Sequence, residues 1–598
     1  MKPEKASHLY NIRHSLAHML AQAVLDLFPE AKLGTGPVTE NGFYYDFDLP
    51  RTLIPEDLEI LEKKMRQFVK QNQFFVRRDE PIREAKAFLK TIKQPYKIEL
   101  VDKFIEQQGI KEVSFYENVR ESDNKPVFVD LCEGGHVDNT KEIDPQSFKL
   151  DKISSAYWQA DENKASMQRI YGVSFETAEE LKAWETMMAE AKKRDHRKLG
   201  VELDLYVLSE KVGPGLPLLT PRGTVIRQEL DKLSQEKHKA WGYSYVTTPN
   251  LGDLGLYRTS GHYPYYAETM FPPLKDDETE FMLRPMNCPH HIQIYDAKPR
   301  SYRELPLRLR EDGLCYRYEK SGELSGLTRV RALTIDDAHI FCTPEQMGEE
   351  INRCLDLAKE MYDVFGFKDL VFTLSLRDPA NKDKYVGTDE NWNKAEDFLR
   401  QALKKRGMEF KEYLGEAAFY GPKIDVKARD VLGREWQLAT IPQIDYNMPE
   451  RFDISYIDEH GTKQRPVILH RAVYGSYERF FGLLIEHFGG AFPTWLAPVQ
   501  VEVIPVAEAH RDAALDILEQ LKDAGVRAEL AEPDLTLGKR IRNSEGAKVP
   551  YMIVIGDKEI ASGKVNARSY HSKQQVEHDR EAFIGMIVAE IAERRLPE

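Results

Sequence analysis

Cysteine is scarce. Five residues in 598, namely Cys132, Cys288, Cys315, Cys342 and Cys354, form an odd, unevenly spaced set. That argues against a disulfide framework and for a reducing compartment. Long apolar runs are missing as well. None approaches the roughly 18 residues of a membrane span, and the start, MKPEKASHLYNIRHSLAHML, lacks the apolar core and cleavage site of a signal peptide. The expectation is a cytoplasmic protein without a membrane segment. Positive charge is also in deficit: 84 Lys and Arg face 98 Asp and Glu, a net charge of -14. Bulk electrostatic binding of nucleic acid is thereby excluded, and any such site must be a local basic patch. Internal repeats and low-complexity segments are absent. What is present, 41% hydrophobic and 30% charged residues, is a soluble globular composition, and the length points to roughly three to five domains.

Two breaks divide the chain. In ETAEELKAWETMMAEAKKRDHRK, residues 176–198, Thr177 and Glu180 form a capping box, Leu181, Trp184, Met188 and Ala191 recur at helical spacing, and a basic run closes the segment. It reads as a connecting helix, with an ordinary charged surface helix as the plainer alternative. Near FPTWLAPVQVEVIPV the pattern changes again. After it, Val499–Val506, Val526–Leu530 and Tyr551–Ile555 read as strands. The helix HRDAALDILEQLKDAG, closed by Gly525, lies between the first two. The expected division is residues 1–175, the connector 176–198, an α+β region 199–495 and a small α/β domain 496–598.

The stretch RPMNCPHH places Cys288 beside two histidines with no second cysteine nearby. It could be a metal ligand, a nucleophile or a buried apolar residue. Leu314–Cys342 reads as an antiparallel hairpin around KSGELSGLT that carries Arg317, Glu319, Arg329 and Arg331. Strand alternation would put Arg317 with Glu319, and Arg329 with Arg331, on shared faces. Several guanidinia there suit a polyanion, or merely a solvated strand. In PVILHRAVYGSYERFFGLLIEHFGG a strand meets a helix starting at Ser476, with Arg479 in its first turns.

Taken together, these segments resemble a known family. CYRYE…RVRAL resembles the second signature motif of class II aminoacyl-tRNA synthetases and GSYERF the third. YVTTPN with Pro249, after a helix from about Thr224 to His238, resembles the first. MNCPHH, DDAHIFC and VILHRA are similar to threonyl-tRNA synthetases in particular. The resemblance spans essentially the whole chain. It implies an α+β multidomain protein: an N-terminal α+β editing domain, a class II antiparallel-sheet catalytic core and a C-terminal α/β anticodon-binding domain. It also implies one zinc ion held by Cys288, His339 and His470, with the fourth tetrahedral position left open for substrate.

Further roles follow by resemblance. Arg317, Glu319, Arg329, Gln437 and Arg479 would bind ATP with Mg2+. Asp337, Tyr420, Lys423 and Gln443 would line the threonine pocket. Threonyl-adenylate would form and pass its acyl group to tRNA(Thr). Zinc would answer a selection problem, because an apolar pocket separates the near-isosteres threonine and valine only about a hundredfold. Two positions depart from the family: Leu333 stands where an aromatic residue is usual and Ile335 where Gln is common. Pro442 resembles a one-residue insertion, which affects the match at Gln443. Pro249 implies a homodimer.

In HSLAHMLAQAVLDLF, His14 and His18 share a face opposite Leu16 and Leu20, so they are not expected in the core. DLCEGGH adds Cys132 and His136, again four apart. Read bare, the four make either a zinc site or surface histidines with a buried cysteine. By resemblance they line a site that hydrolyses mischarged seryl-tRNA, with Lys97 and Asp130. Serine keeps the hydroxyl and lacks one methyl, worth only about 1–3 kcal/mol, so a second, hydrolytic step is needed. Only about a dozen residues precede His14, which implies a member without the ubiquitin-like domain that many bacterial relatives carry. Toward the C-terminus, Lys539–Lys573 holds eight basic and three acidic residues, an RNA-facing surface or a solvated one. Glu559 and Arg568 match base-reading positions, and Asp534 replaces a usual Asn. Two rival readings remain: an RNA-binding protein that has lost the chemistry, and a metallohydrolase acting through the N-terminal cluster.

Overall fold

The structure, a computed structural model, describes residues 7–161, 163–367, 370–429, 435–531 and 534–597. The chain forms two compact units, Met1–Ala189 and Glu190–Glu598.

In the first unit the helix His8–Leu27 lies on a five-stranded antiparallel sheet. Its strands run in the order Lys32–Leu33, Gly42–Asp48, Ser166–Ser174, Phe148–Tyr157, with Val38–Thr39 paired to Gly42–Asp48. Alternation in GFYYDFD buries Phe43, Tyr45 and Phe47 against that helix and Pro55–Val69. The buried Arg13 fastens the helix to the sheet by donating to the carbonyls of Ser174 and Glu40. A second sheet, Gln73–Pro81, Glu112–Arg120 and Lys125–Leu131, is antiparallel and backed by Ile82–Thr91 and Pro95–Gln108. Its strand Lys125–Leu131 covers the side of the first helix that the sequence left to solvent. His18 is therefore 2% exposed, its ring 5.6 Å from Phe128, and the expectation of a non-core histidine is corrected. One amphipathic stripe was legible; the second partner was not.

The helix Ala178–Arg194 begins with the expected capping box: Thr177 Oγ1 accepts from the Glu180 amide, and Glu180 reaches back to the amide of Thr177. It ends short of residue 198, because Asp195 caps a separate helix, His196–Glu202.

The second unit is built on eight strands in the order Ser244–Tyr245, Leu307–Tyr316, Ala332–Cys342, Val467–Ser476, Glu435–Asp445, Lys423–Arg429, Leu370–Leu376, Phe410–Leu414. Inner pairs are antiparallel and the two edge pairs parallel. Pro221–Ala240, Met347–Asp363, Asp389–Lys405 and Tyr477–His487 pack around the sheet and bury an apolar core. Beneath the central strand Ala332–Cys342, the buried Asp336 lies 3.0 Å from Arg310 and 3.7 Å from Arg471. Its neighbours Asp337 and His339 point to the opposite face. A further sheet, Ala528–Leu530, Val501–Pro505, Tyr551–Ile555, Lys564–Ser569, Gln575–Asp579, is parallel in its first three strands. It carries the helices Arg511–Asp523, Leu537–Gly546 and Arg580–Glu593.

Leu307–Tyr316 and Ala332–Cys342 form the expected antiparallel hairpin with a long loop, but the placing of the charged residues on its strands is corrected. Arg317, Glu319, Arg329 and Arg331 lie in the loop, beyond the paired strands. Strand alternation does not order them. The loop is tied by its own bonds: Arg317 N to Arg331 O at 2.9 Å, Arg331 Nε to Glu319 O at 3.0 Å and Arg329 Nε to Glu319 Oε2 at 2.9 Å.

Candidate functional site

A cavity of about 470 Å³ opens on the central sheet of the second unit. Arg317, Glu319 and Arg329 from the long loop, Gln437 from its strand and Arg479 from the helix Tyr477–His487 line it. Leu333 and Ile335 form its apolar wall. Arg479 is positioned by a tight strand-to-helix turn. Gly475 has φ 65°, a Cβ there would sit 2.9 Å from the Leu438 carbonyl, and Ser476 caps the helix at the Arg479 amide. Burial, and then the nearby Arg329 charge, pull the Arg479 guanidinium below its ordinary value, partly offset by Asp425. An anionic ligand would relieve that repulsion.

Beside this cavity four strands carry a row of polar residues. His339 pairs in register with His470, His470 with Gln443, and Gln443 with Lys423. Cys288 opens the helix Cys288–Asp296, and ligand atoms of Cys288, His339 and His470 all lie within 4.8 Å of one another, each buried. Burial, then the Asp337 and Asp445 carboxylates, push the Cys288 thiol well above its ordinary range. Burial, then neighbouring imidazoles, hold His339 neutral. Asp337 Oδ2 accepts from Asn287 Nδ2 at 3.0 Å, while Oδ1 lies 3.9 Å from His339 Nε2. Burial raises the Asp337 carboxyl. Tyr420 stands with its ring 5.0 Å from that of His470. A thiol, two imidazoles and an adjacent carboxylate suit a divalent ion such as zinc.

Several contributors carried no sequence signal of their own. Asp425 is a buried hub that pairs with Lys423 and accepts from Gln437 Nε2 at 2.9 Å, Thr440 Oγ1 at 2.8 Å and Ser375 Oγ at 2.8 Å. Its place two residues after Lys423 on one strand was the available clue. His262 Nε2 lies 3.6 Å from Cys288 Sγ, and burial first, then His470, lowers its imidazole to about 3. Pro442 sits where both neighbouring ladders lose register: three steps from Thr440 to Gln443 face two from Asp425 to Lys423 and two from Ala472 to His470. One extra residue in this strand is taken up as a bulge. It leaves Gln443 buried in the row, donating from Nε2 to Gly421 O at 3.1 Å.

In the first unit, a cavity of about 670 Å³ is lined by His14, His18, Tyr45, Lys97, Asp130 and Cys132 among others. Cys132 Sγ lies 3.5 Å from His14 Nε2 and 3.3 Å from His136 Nε2. Gly134 and Gly135, both at positive φ of 108° and 90°, fold the loop so that Cys132 and His136 face each other. Lys97 Nζ is 2.6 Å from Asp130 and donates to Tyr45 OH at 2.9 Å; Tyr45 in turn donates to Asp130. Tyr45 was not anticipated. Burial lowers His14, His18 and His136 from their ordinary value and pushes the Cys132 thiol up to about 12. The surface-histidine alternative is thus reversed: His18 is buried and Cys132 half-buried.

The two C-terminal residues are engaged separately. Glu559 Oε2 accepts from the Gly556 amide as a helix cap, and Arg568 pairs with Glu545 at 2.6 Å. Arg540, counted in the basic stretch, is buried and donates to Pro505 O. Asp534 lies exposed in a turn.

An antiparallel sheet with this arginine-lined loop and strand-to-helix turn is the core of a class II aminoacyl-tRNA synthetase. Residues 266–488 match the tRNA synthetase class II core domain (G, H, P, S and T), 500–590 an anticodon binding domain, and 113–171 the threonyl and alanyl tRNA synthetase second additional domain. The chain is 48% identical to a threonine--tRNA ligase of Thermus thermophilus over 98% of this chain and 89% of that one. It is 47% identical to the Geobacillus kaustophilus protein of the same name, over 98% and 88%. A crystal structure of the RNA binding domain of threonyl-tRNA synthetase from Cryptosporidium parvum superposes with a TM-score of 0.62 at 37% identity, covering 66% of this chain and 98% of that one. The chain belongs to the threonine--tRNA ligase family.

Proposed function

We propose that the protein joins L-threonine to tRNA(Thr) with ATP and hydrolyses seryl-tRNA(Thr) formed in error. The observation that carries the specificity is the convergence of Cys288, His339 and His470 within 4.8 Å, next to a carboxylate, Asp337, with one free oxygen edge. Zinc bound there by Cys288, His339 and His470 would act as a Lewis acid toward the amino group and hydroxyl of threonine. Asp337 accepts the hydroxyl proton, which valine lacks. Tyr420, Lys423 and Gln443 close the pocket.

The nucleotide, with Mg2+, occupies the neighbouring cavity. Arg317 holds the α-phosphate and the threonine carboxylate, Arg329 the γ-phosphate, and Arg479 the adenine and outer phosphate. Glu319 and Gln437 complete the nucleotide contacts. A carboxylate oxygen attacks the α-phosphorus, the bond to the β-phosphate breaks and pyrophosphate leaves. A terminal ribose hydroxyl of tRNA then takes the acyl group and AMP departs. The arginines contribute charge stabilisation and positioning. In the first unit, His14, His18, Lys97, Asp130, Cys132 and His136 position the water that cleaves the seryl ester. Glu559 and Arg568 read anticodon bases once released from their present partners. This assigns editing to residues 1–175, connection to 176–198, catalysis to 199–495 and anticodon binding to 496–598. It also takes the protein as a cytoplasmic homodimer meeting through the Pro249 segment. Among the described residues no helix is long and apolar enough to cross a membrane.

Threonine-dependent exchange of labelled pyrophosphate into ATP tests the reading; its absence in zinc-supplied protein defeats it. A second metal is favoured by one observation: His14, His18, Cys132 and His136 also bring their donor atoms within 4.8 Å. Elemental analysis separates the two readings, one zinc per chain for water alone in the editing site and two for a metal there.

A further inference from the structure

Each imidazole of the proposed zinc site has one ring nitrogen already engaged. His470 Nε2 lies 3.0 Å from Asp445 Oδ2. A carboxylate oxygen accepts, so Nε2 donates and Nδ1 is the nitrogen left to face the ion. His339 is less simple. Its Nδ1 lies 2.8 Å from Nδ1 of His291, and two ring nitrogens leave the direction open.

The direction is set one residue farther out. His291 Nε2 is 3.2 Å from Glu311 Oε2, so it donates. With the His291 Nε2–H given to Glu311, Nδ1 of that ring is left as the acceptor, His339 Nδ1–H donates into it, and His339 Nε2 retains the lone pair. Glu311 is itself held: Thr248 donates from its amide at 2.9 Å and its hydroxyl at 2.7 Å, and Arg284 lies at 3.4 Å. His291 and Glu311 are buried, at 0% and 4% exposure, so water does not compete for these bonds.

We propose that His291, oriented by Glu311, is a positioning residue that fixes the tautomer of His339 and makes Nε2 its metal-binding nitrogen. The inference rests on the zinc reading above. The chain of bonds also links the ion to Thr248, next to Pro249. Such outer partners are worth about 10- to 100-fold in metal affinity.

The test follows zinc leaving the full-length, zinc-loaded protein into a chromophoric chelator. The ion counted is the one that Cys288→Ala abolishes. His291→Phe keeps the ring volume and removes the acceptor, so zinc loss is expected to quicken by about 10- to 100-fold. His291→Asn puts an amide oxygen near the lost Nδ1 and is expected to stay within about threefold of the parent. Zinc-free unfolding midpoints of the two variants should match, which a merely structural role would not give. Glu311→Gln covers the case in which His291→Phe fails to fold: an amide can donate as well as accept, so the direction is lost and release speeds up about tenfold. Parent-like release from His291→Phe or Glu311→Gln overturns the proposal, as does equal loss from His291→Asn and His291→Phe. If Cys288→Ala leaves the zinc content unchanged, the zinc reading itself fails and takes this inference with it.

Discussion

Replacing Asp337 should slow the activation of amino acids that carry a side-chain hydroxyl and leave that of valine unchanged. Its carboxylate is buried, with Oδ2 taken by Asn287 and Oδ1 turned toward His339. The free edge would receive the threonine hydroxyl as a charge-assisted hydrogen bond of about 1.5–3 kcal/mol. Asp337→Ala forfeits that bond. At about 1.4 kcal/mol per decade, kcat/KM for threonine should fall about 10- to 150-fold. Asp337→Asn keeps an oxygen acceptor and loses only the charge, about 1 kcal/mol or roughly fivefold. Serine carries the same hydroxyl and should fall in step with threonine. Valine carries none, and its slow activation should change by less than about twofold. The Ala variant also strands Asn287 Nδ2, a stability cost of about 1–3 kcal/mol, so its unfolding midpoint and zinc content are measured alongside. Pyrophosphate exchange with the three amino acids in parallel decides the matter. Equal losses for threonine and valine, or a threonine rate within twofold of the parent in Asp337→Ala, would refute the assignment of Asp337 as the hydroxyl acceptor.

Leu333→Phe adds an aromatic face to the nucleotide cavity and should lower the KM for ATP by about 0.5–1.5 kcal/mol, roughly 2- to 10-fold; an unchanged or raised KM would place adenine elsewhere. Burial pushes the Cys132 thiol up to about 12, so iodoacetamide at neutral pH should leave it largely unmodified despite its partial exposure. Rapid labelling found by mass spectrometry would contradict the structure. Because burial depresses His14, His18 and His136 below their ordinary 6.5, they stay neutral above it. The stability that their neutral forms confer is present above pH 6.5 and is lost as the pH falls through the depressed values. Seryl-tRNA hydrolysis should therefore be flat from about pH 8 to 6.5, and a limb with an apparent pKa of 6.5 or higher would contradict this.

The sequence by itself determined what depends on neighbours along the chain. The Thr177–Glu180 capping box, the Ser476 turn into the helix bearing Arg479, and the strand Tyr551–Ile555 were legible because caps and alternation act over a few residues. The extra residue at Pro442 could be suspected from the sequence, and the ladder shows where the strand bulges to accept it. Only the tertiary structure decided the rest. His18 is buried because a second sheet covers the far side of its helix. Arg317 and Arg329 meet in one cavity because their loop, and not a strand, folds back on itself. Cys288, His339 and His470, spread over 183 positions, meet because two strands pair in register and a helix begins beside them. Glu311 bears no local mark, and the marks on His291, in RPMNCPHH, and on Asp425, two residues after Lys423, do not reveal their partners. Their roles are set by what lies across the sheet, and a periodic pattern records which side a residue faces but not what it meets there.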